Sequence, residues 1–350
     1  MMSRFYRSFI RPTLFEYDSE EIHDRTIRFL SGVSRSPALC ELIGAVFGAP
    51  KLPVEVFGLG FPNPVGLAAG MDKFAAALPI WQQFGFGFCE LGGVTWHPQE
   101  GNLKPRMFRI TPDNALINRM GFNNPGAVAM AERLADWRAR GQWPHHPVGI
   151  NVGKSKITPL DKAADDYAMS LRVLYSHADF FVINVSSPNT PNLRQLQDKA
   201  ALDEVLAAVQ QVRRDHATRK PILVKVAPDL SFEALDEMVE LTGPREVDGI
   251  IATNTTITRP NSENATYCEM GGLSGRPLRA RSTEIIHHLA KSGLPIIGVG
   301  GIFNAADAYE KLQAGASLVQ VYTGLVYEGP SLASQIVTGL KRRLAEAKLD

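Results

Sequence analysis

The sequence predicts an α/β fold, a closed barrel of eight strand–helix units behind a short all-helical module. Three observations carry that expectation. Eight short apolar runs occur at 64–69, 86–91, 147–152, 180–185, 221–226, 249–252, 295–299 and 317–322, and nearly all are followed directly by Gly, Ser or Thr. Amphipathic windows of helical period lie between them, at 160–177, 200–215, 231–242, 280–291 and 305–314. The runs are too uniformly apolar for a sheet with one wet face, which points to parallel strands buried on both sides. A length of 350 residues then suits a (β/α)8, or TIM, barrel with an added piece. A doubly wound open sheet shares this alternation, and strand count alone does not show closure. No dinucleotide-binding glycine fingerprint or Walker sequence stands where either would be needed.

Composition narrows the function classes. Apolar residues make up 45% and charged residues 21%, as in a soluble protein with a large core. A net charge of +1 leaves no electrostatic footprint for nucleic acid. Cys40, Cys89 and Cys268 are far apart and in no ligand spacing, so neither a disulfide framework nor a metal site is expected. Cys89, within an apolar run, suits a small buried hydrophobe. No apolar stretch approaches the roughly 20 residues of a membrane span, and no signal-peptide pattern opens the chain.

Residues 1–50 read as helices. Ser36 followed by Pro37 is a helix start, and Leu39, Leu42, Ile43, Val46 and Phe47 follow at helical spacing up to Gly48. Asp18 or Ser19 caps a second helix that presents Ile22, Thr26, Phe29, Leu30 and Val33. Phe5, Tyr6, Phe9, Ile10, Leu14 and Phe15 alternate with Arg4, Arg7 and Arg11 before them. These faces suit either a cap on the barrel or a module lying in a membrane interface. Residues 51–350 hold the barrel. Two insertions break its rhythm: 96–124, with a small hairpin, and 257–279, a long polar loop. Loops of that length in a compact domain are usually functional.

The chemistry lies at the strand ends. The stretch 180–194 opens as a buried strand and turns abruptly into Asn184, Ser186, Ser187, Asn189 and Thr190, punctuated by Pro188 and Pro191. An ordinary Asn/Ser/Pro turn would look the same, but the carboxyl end of a parallel strand is where such folds place their sites. The other tips add Gly70, Gly93, Asn151, Lys225, Thr253, Asn254 and Thr255, with Lys73 close behind the first. There is no pair of carboxylates for glycosidase chemistry and no zinc-ligand set. An amide-rich mouth suits a planar hydrogen-bonding heterocycle. Gly300-Gly301 after the seventh run, and Tyr322-Thr323-Gly324 after the eighth, suit a phosphate held by backbone N–H groups. Together these features point to FMN. Lys225, in an apolar run, either faces an anionic reduced flavin or pairs with a structural carboxylate.

Six motifs then carry a resemblance: GLAAGMDK at 66–73, INRMGFNN at 117–124, NVSSPNT at 184–190, IATNTT at 251–256, GGLSGRPL at 271–278 and IIGVGGI at 296–302. They span essentially the whole chain, which resembles the quinone-dependent, membrane-associated class of dihydroorotate dehydrogenases. The resemblance implies oxidation of dihydroorotate to orotate in de novo pyrimidine (UMP) biosynthesis. Ser187 matches the base that removes a proton from C5 while C6 gives a hydride to the flavin, and Thr190, beside Phe122, matches the proton relay. Lys73, Asn118, Arg119, Met120, Gly121, Phe122, Asn184, Asn189, Asn254 and Thr255 match the orotate pocket. Ala69, Gly70, Met71, Asp72, Lys73, Gly93, Asn151, Asn184, Lys225, Thr253, Gly275, Gly301, Tyr322 and Thr323 match the FMN site.

The resemblance also makes 1–50 a membrane-associating module with a quinone tunnel, whose inner end His23, Arg109 and Tyr322 match. A monomer held peripherally on the cytoplasmic side of the cell membrane is implied. Soluble relatives that reduce fumarate or NAD use cysteine as the base, so Ser187 argues for the quinone class. Gly93 departs from the family, which often has threonine there, and a side-chain contact to the cofactor is lost. A barrel kept only for binding is the reading from another class, and it would carry no flavin.

Overall fold

The structure, a computed structural model, describes residues 2–346. Eight parallel strands close into a barrel: β1 Val65–Leu67, β2 Phe88–Val94, β3 Val148–Val152, β4 Phe180–Asn184, β5 Ile222–Val226, β6 Gly249–Ala252, β7 Ile296–Val299 and β8 Leu318–Val321. Each pairs with its successor, and β8 pairs with β1, so the open-sheet alternative is excluded. All eight coincide with the apolar runs. The helices Ala163–Leu174, Lys199–Arg214, Phe232–Thr242, Arg279–Ala290 and Ala305–Gln313 fall within or beside the predicted windows.

Inward side chains follow the period of two that a pleated strand imposes. At the amino-terminal end Phe88, Phe180, Val182, Leu223, Ile251, Ile297 and Leu318 form an apolar plug. A hairpin of Val54–Val56 and Leu59–Phe61 covers that end, with Phe61 edge-on to Phe88 at 5.3 Å between ring centroids. This hairpin went unread in the sequence because each arm has only three residues. Cys89 is fully buried, and the cysteines at 40, 89 and 268 are all free.

The two insertions meet over the opposite end. Met107–Ile110 and Ala115–Asn118 form the predicted hairpin, and Gly272–Gly275 adds to it as a third antiparallel strand. The second insertion is therefore not simply a polar loop. Ile110, Ile117, Tyr267 and Leu273 form a small core of their own, and the Tyr267 hydroxyl donates to Asp113 at 2.7 Å.

Before the barrel lie a helical segment over 2–15 and the helices Ser19–Ser34 and Pro37–Phe47. Asp18 caps the first of these helices, accepting from the N–H groups of Glu20 and Glu21 at 2.9 and 3.0 Å. Ser36 caps the second, with Pro37 in its first turn. The second packs on the barrel through Phe47, edge-on to Phe84 at 5.7 Å. Glu20 forms a buried ion pair with Arg106 of the first insertion at 2.7 Å, which ties the helices to the cap. Burial works against the Glu20 carboxylate, but Arg106 and Lys104 outweigh it and hold its pKa below the usual carboxylate range.

Candidate active site

The strand ends and the cap above them enclose one cavity of about 1140 Å³, counting space open to solvent. Ala69 and Gly70 reach it after β1, Gly93 from β2 and Asn151 from β3. Asn184 ends β4, with Ser187 and Asn189 beyond it, and Lys225 comes from β5. Thr253, Asn254 and Thr255 follow β6, Gly301 follows β7, and Tyr322 and Thr323 follow β8. The cap contributes Asn118, Met120, Gly121, Phe122 and Gly275, and Lys73 closes the side.

The amides are not free-standing. Asn254 donates to Asn184 at 3.3 Å, Asn184 to Asn151 at 2.8 Å, and Asn151 to Glu90 at 2.5 Å. Glu90 is fully buried and faces the Lys225 ammonium at 3.4 Å. A buried carboxylate demands such a cation, and the cation is fixed in return. Lys225 thus has the structural partner left open by the sequence while still lining the cavity. Glu90 was missed because it sits inside an apolar run. Its place two residues after Phe88, on the inward face, was the available signal.

The loop after β4 is braced from three sides. Arg194 donates to the carbonyls of Ser186 and Thr255, each at 3.2 Å, and pairs with Asp229 at 2.9 Å. Asn102 of the cap donates to the Asn189 carbonyl at 3.0 Å. Within the loop, the Ser187 hydroxyl oxygen accepts from the Asn189 N–H at 3.3 Å. Asn189 donates its side-chain amide to Asn118 at 3.1 Å. The Thr190 hydroxyl is buried with no hydrogen-bond partner among the described residues, although Thr190 does not line the cavity. Lys73 donates to Asn123 at 2.8 Å, and burial together with the charge of Arg106 brings its pKa down to about 8.

Three of the expected site residues do not line this cavity. The Asp72 carboxylate does not line this cavity; it accepts from Trp81 Nε1 at 3.0 Å and from the N–H groups of Ala76 and Ala77. Met71 belongs to a second cavity. Arg119 is spent on the cap, paired with Glu269 at 2.6 Å and stacked over Phe108. In each case motif adjacency did not fix which way the side chain faced. Gly93 has a steric role. A Cβ there would sit 2.8 Å from the Phe122 ring and 3.2 Å from Asn151 Oδ1, so threonine would displace the ring.

The second cavity, about 1720 Å³ on the same measure, lies between the N-terminal helices and the barrel. Leu14, Phe15, Ile22, Phe29, Leu30 and Phe47 are typical of its lining. His23, Arg109 and Tyr322, the three residues that the resemblance matches to a quinone tunnel, line it. Burial and the charge of Lys73 push His23 down to about 4, so its ring is neutral at pH 7. Arg109 lies over the Phe15 ring at 4.4 Å and donates to the carbonyls of Phe15 and Tyr17. Met107, Leu116 and Tyr322 line both cavities and form the wall between them. Burial raises the Tyr322 hydroxyl to about 12.

Comparison with known proteins agrees with this architecture. The family model described as dihydroorotate dehydrogenase matches residues 51–344. A Gloeobacter violaceus protein named dihydroorotate dehydrogenase (quinone) is 51% identical over 339 residues, covering 95% of this chain and 93% of the relative. A Chloroflexus aurantiacus protein of the same name is 51% identical over 348 residues, covering 95% of each. A crystal structure of DHODH from Eimeria tenella in complex with ferulenol matches with a TM-score of 0.86 at 36% identity, over 96% of this chain and 95% of that one. Likeness at this level, over nearly the full length of both partners, allows one conclusion: the chain belongs to the dihydroorotate dehydrogenase family.

Proposed function

We propose that the protein oxidises (S)-dihydroorotate to orotate in de novo pyrimidine (UMP) biosynthesis, with FMN as cofactor and a membrane quinone as electron acceptor. The observation that carries this reading is a polar cavity and an apolar one sharing the wall of Met107, Leu116 and Tyr322. A polar substrate and a lipid-soluble acceptor can then approach one cofactor from different sides. The residues present fit FMN. Gly301, with φ of +70°, has a backbone open to a phosphate, and a Cβ there would sit 2.4 Å from Arg279 Cβ. Asn151, Asn184 and Lys225 suit the heteroatoms of a planar ring, with Ala69, Gly70, Thr253 and Gly275 around it, while backbone at Tyr322 and Thr323 joins Gly301 at the phosphate.

Bound FMN supplies the two-electron acceptor, and the chain's own residues do the rest. Lys73, protonated below about pH 8, attracts the substrate carboxylate. Asn118, Asn189, Asn254 and Thr255 orient the ring, with Met120, Gly121 and Phe122 closing over it. Ser187 takes the C5 proton. A hydroxyl is a weak base, so the proton has to be passed on, and the unpartnered Thr190 hydroxyl in the same loop is suited to that. The Arg194 brace holds this loop before substrate arrives, which lowers the cost of orienting the base.

On the other side, His23, Arg109 and Tyr322 receive the quinone head. Residues 1–50 serve as the membrane-associating module and 51–350 as the catalytic domain. Phe5, Phe9, Phe29, Leu39, Leu42 and Val46 are exposed on the module, an apolar surface suited to a membrane interface. No helix among the described residues is long and apolar enough to cross a membrane. The family resemblance supports a peripheral monomer on the cytoplasmic side.

The test is anaerobic mixing. Bleaching of the flavin by dihydroorotate, followed by recovery with a short-chain quinone, is expected. Recovery with fumarate or NAD instead would move the protein to the soluble class, and a colourless protein would leave only a binding barrel.

A further inference from the structure

Gln320 lies in β8, 1% exposed and lining the polar cavity, with neither amide atom hydrogen-bonded to any described residue. Leaving both halves of a buried amide unsatisfied is costly, so such a group signals a partner the bare chain does not supply. Its strand neighbours supply none, since Gln320 pairs in register with Gly66 of β1 and Val299 of β7. Other polar groups of the barrel and cap are already committed: Glu90 to Lys225 and Asn151, Thr253 to the Asn254 carbonyl, and Ser274 to Thr323.

We infer that Gln320 is a cofactor-binding residue that hydrogen-bonds a neutral donor-and-acceptor part of the flavin, its sugar-alcohol chain or its ring edge. The inference rests on the reading of this cavity as an FMN site. The phosphate is excluded as the partner by chemistry. It would accept from Nε2 but leave Oε1 facing negative charge, whereas a hydroxyl chain or a ring with adjacent N–H and C=O groups satisfies both amide atoms. Position agrees. Gln320 lies in β8 two residues before Tyr322, which follows the strand, about 7 Å at strand spacing, and this places it inward of the Gly301 and Thr323 turns assigned to the phosphate.

The test compares Gln320→Met and Gln320→Leu with the unaltered full chain, each stripped of flavin and titrated with FMN by fluorescence quenching. Thermal stability is followed with and without flavin. Both variants are expected to bind FMN roughly 10-fold more weakly, the size of one or two lost hydrogen bonds. Their flavin-free melting temperature should be unchanged or higher, because an unsatisfied amide has been removed. Lumiflavin, which lacks the chain and phosphate, assigns the contact: an equal loss places it on the ring, and no loss places it on the chain. FMN affinity equal to that of the unaltered chain would overturn the inference, as would a lower flavin-free melting temperature in both variants. Failure of the unaltered chain to bind FMN would instead sink the parent reading.

Discussion

The two cavities meet at three residues and are built in opposite ways. The polar one is made of strand ends, and its side chains are mostly satisfied by one another, from Asn254 through Asn184 and Asn151 to Glu90 and Lys225. The apolar one is lined mainly by the apolar faces of the N-terminal helices, and few polar contacts hold it, chiefly Arg109 on carbonyls of the first helical segment. Preorganised polar groups suit a step in which charge must be placed accurately. An apolar space of this kind suits a ligand recognised mainly by its hydrophobicity. The contrast explains how one cofactor could serve two substrates of unlike polarity.

Four experiments would break or sharpen this contrast. Arg106→Leu is expected to have the largest effect. It removes the buried partner of Glu20 and should cost about 3 kcal/mol of stability, since breaking one side of a buried pair leaves the carboxylate with only the exposed Lys104 against it. Urea unfolding measures it, and a loss below about 1 kcal/mol would show that this pair does not join the helices to the cap.

Ser187→Ala comes next. It should slow flavin reduction by dihydroorotate at least about 100-fold while leaving reoxidation by quinone unaltered. Near-normal reduction in stopped flow would defeat the assigned role. Arg109→Ala is the mirror experiment, with reoxidation slowed roughly 10-fold and reduction unchanged. Equal slowing of both half-reactions would mean that the cavities do not divide the work.

The smallest effect concerns Lys73. Its folded pKa is lowered to about 8 by burial and by Arg106, and an anionic ligand prefers the protonated form. Orotate should therefore bind well below that value and lose affinity as pH rises through it, by roughly fourfold between about pH 7 and pH 8.5. Lys73→Met should bind weakly and without that pH dependence, and a persisting dependence would assign it to another group.

Much of this arrangement was legible in the chain. The eight strands were visible because a strand buried on both faces must be apolar throughout, and Ser187 with its amides stood out because polar residues follow such a run abruptly. The helix caps at Asp18 and Ser36 were visible for the same local reason, a side chain bonding backbone two or three residues away. Glu90 and Gln320 were hidden by the rule that exposed the strands, since one polar residue in an apolar run looks like noise until its inward neighbours are known. Met71, Asp72 and Arg119 were carried along by their motifs, whereas their side chains are committed to the second cavity, to Trp81 and to Glu269.

Composition and periodicity act over a few residues, and those alone specify the elements, their order and the chemistry at their tips. The third cap strand, Gly272–Gly275, is different, because it pairs with a hairpin about 150 residues earlier only once the barrel brings β2 and β6 to the same end. Closure of the barrel, the Glu90–Lys225 pair, the Glu20–Arg106 tie and the wall shared by two cavities are likewise relations between distant segments. They become definite only when burial forces each polar group to find a partner in space rather than along the chain.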